Sequence, residues 1–359
     1  MAHTRRTVAV LSVFVVGSAV AAVTLVARAE RRAQAVSVAN RRVVGAAEAF
    51  LATLDAGQRA KANIELNAKT RTIWSNLPTG ITMQVGATTR NGLKLGDMTP
   101  VQEKAAMALV AAALSREGFE KVTAIVDADE LLEQRTAPTR QPNSRNRFGR
   151  NEFFLAILGT PAPTATWMLQ FGGHHLGVNV TFAGDAQVLT PTHTGAQPAS
   201  FSIEGKTVRP LGDENDKAFA LVNALTPEQR QQAVLGVEVR NLVLGPGEDG
   251  KMIAPEGVKA SALPASQRAQ LLDLIGEWVR IIGDEAAAAK MADAQAHLDD
   301  TYFAWAGPTA NGSGAYFRIQ GPTVFIEYAP QGKPPTSTDH IHTIYRDPTN
   351  DYASKATSR

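Results

Sequence analysis

Two short histidine clusters are the residues of this chain whose types and spacing point most directly to chemistry. Segments 172–175 (Gly-Gly-His-His) and 339–342 (Asp-His-Ile-His) hold four of the seven histidines among 359 residues. Imidazole is the commonest protein ligand of transition metals, and histidines at positions i and i+2 of a strand point to the same face. The clusters predict a metal site or a histidine-based catalytic site, assembled where the two segments meet.

In the second cluster, His340 and His342 are expected on one face of a strand, with Glu327 on the strand before it. If these two strands pair, the Glu327 carboxylate and both imidazoles converge. Two histidines with a carboxylate are typical of metal sites that keep positions open for water or substrate. The alternative is a surface strand with two exposed histidines.

In the first cluster, regular strand alternation makes His175 the ligand candidate, because it would share a polar face with Asn179. His174 would then face the apolar side with Val178, either as a buried, hydrogen-bonded histidine or as a partner behind the ligands. A bulge at residues 172–173 would instead direct His174 toward the metal as well. His174 therefore stays a candidate ligand.

A predicted hairpin around residues 321–322 supplies further candidates. A two-residue loop there places Tyr316, Arg318 and Glu327 on one polar wall, with an apolar wall behind it. The polar wall is either the solvated side of an antiparallel sheet or one side of an active site. In an active site, Arg318 would bind an anionic substrate group, and Tyr316 or Asp339 would act in acid–base chemistry.

The composition limits both the metal and the partners. Cysteine is absent, so thiolate ligands and iron–sulfur clusters are excluded, and the remaining ligands favour a divalent transition metal such as zinc, copper or iron. The net charge is +2 and no basic stripe interleaved with aromatic residues occurs, which argues against nucleic-acid binding and leaves a small-molecule or anionic substrate. His193, in a Pro/Thr-rich loop, and His297, on a predicted helix, are interpreted as structural or solvated.

The first 29 residues predict export. Arg5 and Arg6 precede an apolar run over residues 7–27, and a small-x-small site ends at Ala29, which together are typical of a secretory signal. The run is also long enough to cross a bilayer as an uncleaved anchor. The paired arginines fit a general signal or a twin-arginine signal. On each alternative, residues 30–359 are expected outside the cytoplasm, with membrane contact only through the N-terminal segment.

Strands and helices segregate along the chain, which favours an α+β fold of antiparallel meanders packed with amphipathic helices in a single large domain. Thr99 and Thr226 each begin a Thr-Pro-x-Gln capping box, which predicts the start of a helix. No internal repeat is predicted beyond this recurring cap. The predicted strands are residues 152–158, 166–171, 176–182, 315–320, 323–328 and 340–345.

Three longer segments, residues 167–179, 316–328 and 340–352, resemble an uncharacterised family of mostly secreted bacterial proteins, domain-of-unknown-function family 3500. The resemblance runs from about Ala46 to the C-terminus and includes Phe-Gly-Gly-His-His in the first segment and His-Ile-His in the third. It supports the domain boundaries. Because the family has no established activity, the resemblance implies no reaction.

Two hypotheses of different classes follow from these residues. The first is an exported metal-dependent enzyme, a hydrolase or an oxidoreductase, with His340, His342, His175 and Glu327 as ligands. The second is a non-catalytic extracytoplasmic protein that binds a small anionic ligand through Arg318. A stoichiometric metal in the purified protein separates the two.

Overall fold

A twelve-stranded sheet forms the centre of the structure, a computed structural model that describes residues 38–80, 90–144, 146–332 and 338–357. All six predicted strands are present, and the α+β class is confirmed. The strands are β1 Asn63–Ile64, β2 Leu93–Lys94, β3 Phe154–Leu158, β4 Thr166–Gly173, β5 Leu176–Ala183, β6 Ala186–Val188, β7 Thr192–Ala196, β8 Phe201–Ile203, β9 Lys206–Val208, β10 Val258–Lys259, β11 Tyr302–Ala306, β12 Tyr316–Gln320, β13 Phe325–Pro330 and β14 Ile341–Arg346.

Across the sheet the strands follow the order β1-β3-β4-β5-β7-β14-β13-β12-β11-β10, with β2 also paired to β3 and β6 to β5. Strands β8 and β9 form a separate hairpin. Neighbours are antiparallel, except that β1 and β3 are parallel. The sheet therefore joins the segments of both histidine clusters: β4 and β5 carry the first cluster, β14 follows the second, and β7 lies between β5 and β14.

Helices cover one face of this sheet, and the capping boxes predicted at Thr99 and Thr226 begin two of them. Apolar side chains of several helices share one core with strand residues such as Leu155, Phe317 and Tyr345. The helices are α1 (helical residues 38–52), α2 Ala56–Ala62, α3 Pro100–Ala113, α4 Arg116–Thr136, α5 Gly212–Ala224, α6 Pro227–Ala233, α7 Ala265–Val279, α8 Asp284–Ala296 and α9 Ser354–Thr357.

The opposite face of the sheet is covered by loops, so both faces are buried. The segment 235–257, called here the covering loop, contributes Leu244 and Ile253 to a second core with Trp74, Phe325 and Ile344. Buried on both sides, the strands of this sheet are apolar on one face and mixed on the other.

The predicted hairpin forms, but its register and its exposure differ from the expectation. The loop has four residues, 321–324, so Arg318 pairs with Glu327 instead of Phe325. A shift by two residues keeps every side chain on its predicted face. That polar wall is not solvated, however: Arg318 is 3% exposed and Glu327 is fully buried, because the covering loop lies over it.

The two halves of the chain repeat the same order of elements. The series β2-α3-α4-β3-β4-β5-β7 corresponds to β10-α7-α8-β11-β12-β13-β14, and the halves meet where β7 pairs antiparallel with β14. An ion pair also recurs at equivalent places. Lys94 of β2 lies 3.3 Å from the Glu152 carboxylate, and Lys259 of β10 lies 2.9 Å from the Asp300 carboxylate. The two Thr-Pro-x-Gln boxes are not part of this repeat, because Thr99 begins α3 and Thr226 begins α6, which are not equivalent elements. The repeated order of elements nevertheless makes the expectation of no further repeat wrong.

The predicted signal peptide or anchor at residues 1–29 lies outside the described residues. Within the described ranges, no helix has the length and apolarity that a membrane crossing requires.

Candidate metal centre

His174 and His175 form the tight turn between β4 and β5 and do not lie within a strand. Gly173 pairs with Leu176, so the two histidines are the two turn residues. His175 has a positive φ of 64°, a backbone conformation that is uncommon for residues with a side chain and clusters at functional sites. The expected strand alternation therefore does not apply here, and the turn geometry decides where both rings point.

From this turn the His175 ring reaches the second cluster across Gly195 of β7. A Cβ added to Gly195 would lie 2.8 Å from the Ile341 carbonyl oxygen and 3.3 Å from the Cβ and Cδ2 of His175. Gly195 also pairs with His342 of β14. The absence of a side chain at Gly195 thus leaves the space in which the His175 and His342 rings approach each other.

His175, His340 and His342, called here the histidine triad, converge on one point. The Nε2 of His340 lies 2.7 Å from the Nε2 of His175 and 3.1 Å from the Nε2 of His342. The three ring centres form a nearly equilateral triangle with sides of 4.7, 4.9 and 5.1 Å. His342 lies on β14 and His340 immediately precedes this strand. Their rings lie side by side, as predicted, and His175 supplies the third ring.

Burial keeps the triad neutral. It lowers the pKa of His175 and His342 well below 6.5 and that of His340 to about 4, and the neighbouring imidazoles lower each pKa further. Neutral imidazole is the form that binds a metal. At pH 7 all three rings therefore have a lone pair available.

Hydrogen bonds alone satisfy this arrangement poorly. A ring nitrogen carries either one proton or one lone pair in the ring plane, yet the Nε2 of His340 faces two other Nε2 atoms. A cation at the centre accepts all three lone pairs. With zinc–nitrogen bonds of about 2.05 Å, tetrahedral ligand nitrogens lie about 3.3 Å apart, so small outward shifts suffice. The triad, with His175 buried and His340 and His342 half-buried, can hold a metal ion.

A second group next to the triad consists of Asp129, His174 and His175. The Asp129 carboxylate on α4 lies 2.6 Å from the Nδ1 of His174, and its other oxygen accepts from the Gly149 amide at 2.7 Å. The His174 and His175 ring centres are 3.6 Å apart. Asp129 therefore orients His174 beside the triad, and the Nε2 of His174 has no hydrogen-bond partner among the described residues.

His193 also lies in this region, contrary to its interpretation as a loop residue. It belongs to β7, is fully buried, and its ring centre is 5.1 Å from that of His342. Within the described part of the chain neither of its ring nitrogens has a hydrogen-bond partner. Burial lowers its pKa to about 3, so the ring is a neutral polar group in an apolar setting.

The structure does not bring Glu327 to the triad. Glu327 pairs with Ile344, whereas His342 pairs with Ala329, two residues further along β13. Its carboxylate accepts from the Tyr316 hydroxyl at 2.6 Å and from the amides of Val243 and Leu244 at 2.9 and 2.8 Å. Burial raises the pKa of Glu327, and these hydrogen bonds oppose the rise. Glu327 and Tyr316 thus hold the covering loop.

The other two candidates also lie apart from the triad. The guanidinium of Arg318 donates to Glu256 at 2.7 Å, which ties β12 to the covering loop. Asp339 is exposed and accepts from the Ala199 amide through its backbone oxygen at 2.9 Å. The structure therefore groups His175, His340, His342 and His174, and leaves Glu327, Tyr316, Arg318 and Asp339 outside that group.

Sequence reasoning missed two members of the site. One sequence pattern could have identified His193. The His-Thr pair at residues 193–194 recurs at residues 342–343, and the two pairs occupy equivalent positions in the two halves. Asp129 carried no such signal, because it is one of several acidic residues on a long helix.

Comparison with known proteins assigns the chain at the level of the family only. The family model described as "Protein of unknown function (DUF3500)" matches residues 37–354, which is most of the chain. No curated protein and no solved structure gives a significant match.

Proposed function

Since the chain belongs to the DUF3500 family, which has no assigned activity, we propose from its own residues that it is a metal-dependent hydrolase. The observation that carries the proposal is the convergence of three neutral imidazoles in the histidine triad, of which His175 is buried and His340 and His342 are half-buried. Three histidines leave at least one coordination position for water or substrate. Zinc is the first choice among zinc, copper and iron, because it accepts three imidazoles and a water in a tetrahedral site.

The metal would supply Lewis acidity and an activated water molecule. The residues around it would handle the proton. Asp129 holds the Nδ1 of His174, which leaves the Nε2 of His174 as a proton acceptor beside the triad; this is the logic by which a carboxylate orients a catalytic histidine. The pairing supports hydrolysis over an oxidoreductase reaction, since an oriented histidine next to the triad would supply the general base that hydrolysis needs.

We also propose that the protein is exported. The signal-like residues 1–29 support export by the general or the twin-arginine route. A protein without cysteine has no disulfide to form after export, so its folding does not depend on an oxidising compartment.

Elemental analysis of protein purified from its native compartment tests the metal site. We expect about one transition-metal ion per chain, absent from the His340→Ala/His342→Ala double variant and retained in His297→Ala, whose ring is 43% exposed. Loss of p-nitrophenyl ester or phosphate hydrolysis in the double variant would support the reaction class. Metal-free native protein whose stability does not change on chelation contradicts the proposal.

The alternative, a non-catalytic protein that grips an anion through Arg318, has less support. Arg318 is buried and already paired with Glu256, so an anion would have to displace that carboxylate.

A further inference from the structure

A cavity of about 480 Å³ lies between the sheet and the covering loop, away from the histidine triad. Its walls are mainly apolar and include Leu244, Ile253, Pro322 and Phe325. This volume is within the range of pockets that bind small organic molecules. His342 and Arg346 lie on one face of β14, four residues apart, so the cavity is about 13 Å from the triad.

Two buried polar atoms at this cavity, the Nε of Arg71 and the Oε1 of Gln320, have no hydrogen-bond partner within the described residues. Gln320 is only 9% exposed. Its Nε2 donates to the Ile253 carbonyl at 2.7 Å, while its Oε1 is buried and accepts no hydrogen bond from a described residue. The Arg71 side chain forms no hydrogen bond or ion pair with another described residue, and its Nε is buried. Burying a polar atom without a partner is unfavourable, so both groups are suited to a ligand.

The other cations of the cavity wall are already neutralised. Arg346 bonds Asp249 at 2.8 Å and Asp351 at 3.0 Å, and Lys251 pairs with Glu248. Arg71 instead lies with its guanidinium carbon 5.5 Å from the centre of the Tyr352 ring. Among the described residues of the cavity wall, Arg71 is therefore a cation without a counter-ion, beside an aromatic ring and an apolar interior.

We propose that this cavity is a second binding site, which takes a small monocarboxylate with an apolar or aromatic body. The carboxylate pairs with Arg71, the body packs against Phe325 and Ile253, and a donor on the ligand reaches the Oε1 of Gln320. The site is separate from the proposed metal centre, and its occupancy does not require a metal.

Calorimetric titration of the full chain tests the site with three probes: 3-phenylpropionate, 3-(4-hydroxyphenyl)propionate and the neutral 3-phenylpropan-1-ol. We expect both acids to bind with Kd below 1 mM and the alcohol at least tenfold more weakly. Arg71→Met should weaken the acids at least tenfold, whereas Arg116→Met, at an arginine that is 74% exposed, should leave them unchanged. The His340→Ala/His342→Ala variant should bind the acids as the wild type does.

Gln320→Leu provides a second variant, since it replaces an unsatisfied acceptor with an apolar group and should fold. The hydroxyl-bearing acid should bind several-fold more tightly than 3-phenylpropionate in the wild type, and this difference should vanish in Gln320→Leu. The proposal is overturned if neither acid binds below 10 mM. It is also overturned if the alcohol binds as tightly as the acids and folded Arg71→Met binds them unchanged.

Discussion

At the scale of single residues, the triad depends on a histidine in a strained position. His175 sits at φ 64° in a two-residue turn, where an L residue with a side chain is disfavoured by roughly 1–2 kcal/mol. Asparagine and glycine would suit the backbone better. Histidine is, with asparagine and aspartate, one of the side chains that enter this conformation more readily than others, and in this turn it directs the ring toward His340 and His342.

This gives a prediction for His175→Asn. Asparagine tolerates the left-handed conformation better than most residues, so the free energy of unfolding of the metal-free protein should change by less than about 1 kcal/mol. Bound metal should fall to a small fraction of the wild-type amount in elemental analysis. His297→Asn is the matched control and should keep its metal. Full metal occupancy in His175→Asn would show that this ring is not a ligand.

At the scale of elements, β7 makes the site possible because it presents Gly195 to both rings. In Gly195→Ala, the new methyl group would lie 2.8 Å from the Ile341 carbonyl oxygen and 3.3 Å from His175. We expect β7 and β14 to shift and metal affinity to fall at least tenfold, measured by competition with a chelator of known affinity. Gly236→Ala, where the added Cβ has no neighbour within 4 Å, should bind metal normally.

The covering loop gives the second prediction at this scale. In Glu327→Gln, an amide nitrogen replaces one of two oxygens that accept from Tyr316, Val243 and Leu244, and donors then face donors. We expect a loss of about 2–3 kcal/mol in urea unfolding and faster proteolysis within residues 235–257, with metal content unchanged. Glu117→Gln, with a side chain 68% exposed, should cost less than about 0.5 kcal/mol. Unchanged stability with lost metal would instead make Glu327 a ligand.

The elements also show what the sequence could and could not predict. The six strands and two capping boxes follow from local patterns, and His340 and His342 share a face because alternation is a local property. The partner of that pair was not local. Glu327 lies on the neighbouring strand, but it pairs with Ile344 and not with His342. The third ring of the triad belongs instead to His175, in the turn before β5, two strands away from β14. Register and long-range pairing depend on the whole sheet, which no short pattern encodes.

At the scale of the whole molecule, the repeated halves explain why there is one triad and not two. His193 and His342 hold equivalent positions beside the central pair Thr194–Thr343, whose hydroxyls are 2.7 Å apart. On the His342 side, Gly195 admits the ring of His175. On the His193 side, the equivalent position is Ile344, whose side chain fills that space. His193 is therefore left buried without a hydrogen-bond partner among the described residues.

Metal removal should affect the stability of the whole fold, because the triad joins the β4–β5 turn to β14. A ligand at 100 times its Kd stabilises the native state by about 2.7 kcal/mol. For a domain of this size we expect chelation to lower Tm by roughly 3–5 °C. Zinc should restore the original Tm in the wild type and not in the His340→Ala/His342→Ala variant. Equal Tm values with and without chelator in metal-loaded protein would contradict a structural link through the triad.

The metal-free protein should be sensitive to acid for a reason specific to the histidines. The pKa of His340 falls to about 4 and that of His193 to about 3 in the native state, against about 6.5 in an unfolded chain. Below pH 6.5 the unfolded state therefore binds more protons than the native state, and stability falls as pH decreases. The stability that the native state has with these rings neutral is fully present above pH 6.5 and is lost progressively as the pH falls toward 4.

Urea unfolding in the presence of a chelator, at half-unit steps from pH 7.5 to pH 4.5, measures this loss. We expect the wild type to lose stability more steeply below pH 6.5 than the His340→Ala/His342→Ala variant, in which two of the buried rings are gone. Carboxylates titrate equally in both proteins, so the difference between the two curves isolates the histidines. Parallel curves over this range would mean that burial does not keep these rings neutral. They would then contradict the inference that the triad is ready to bind a metal because its rings are neutral.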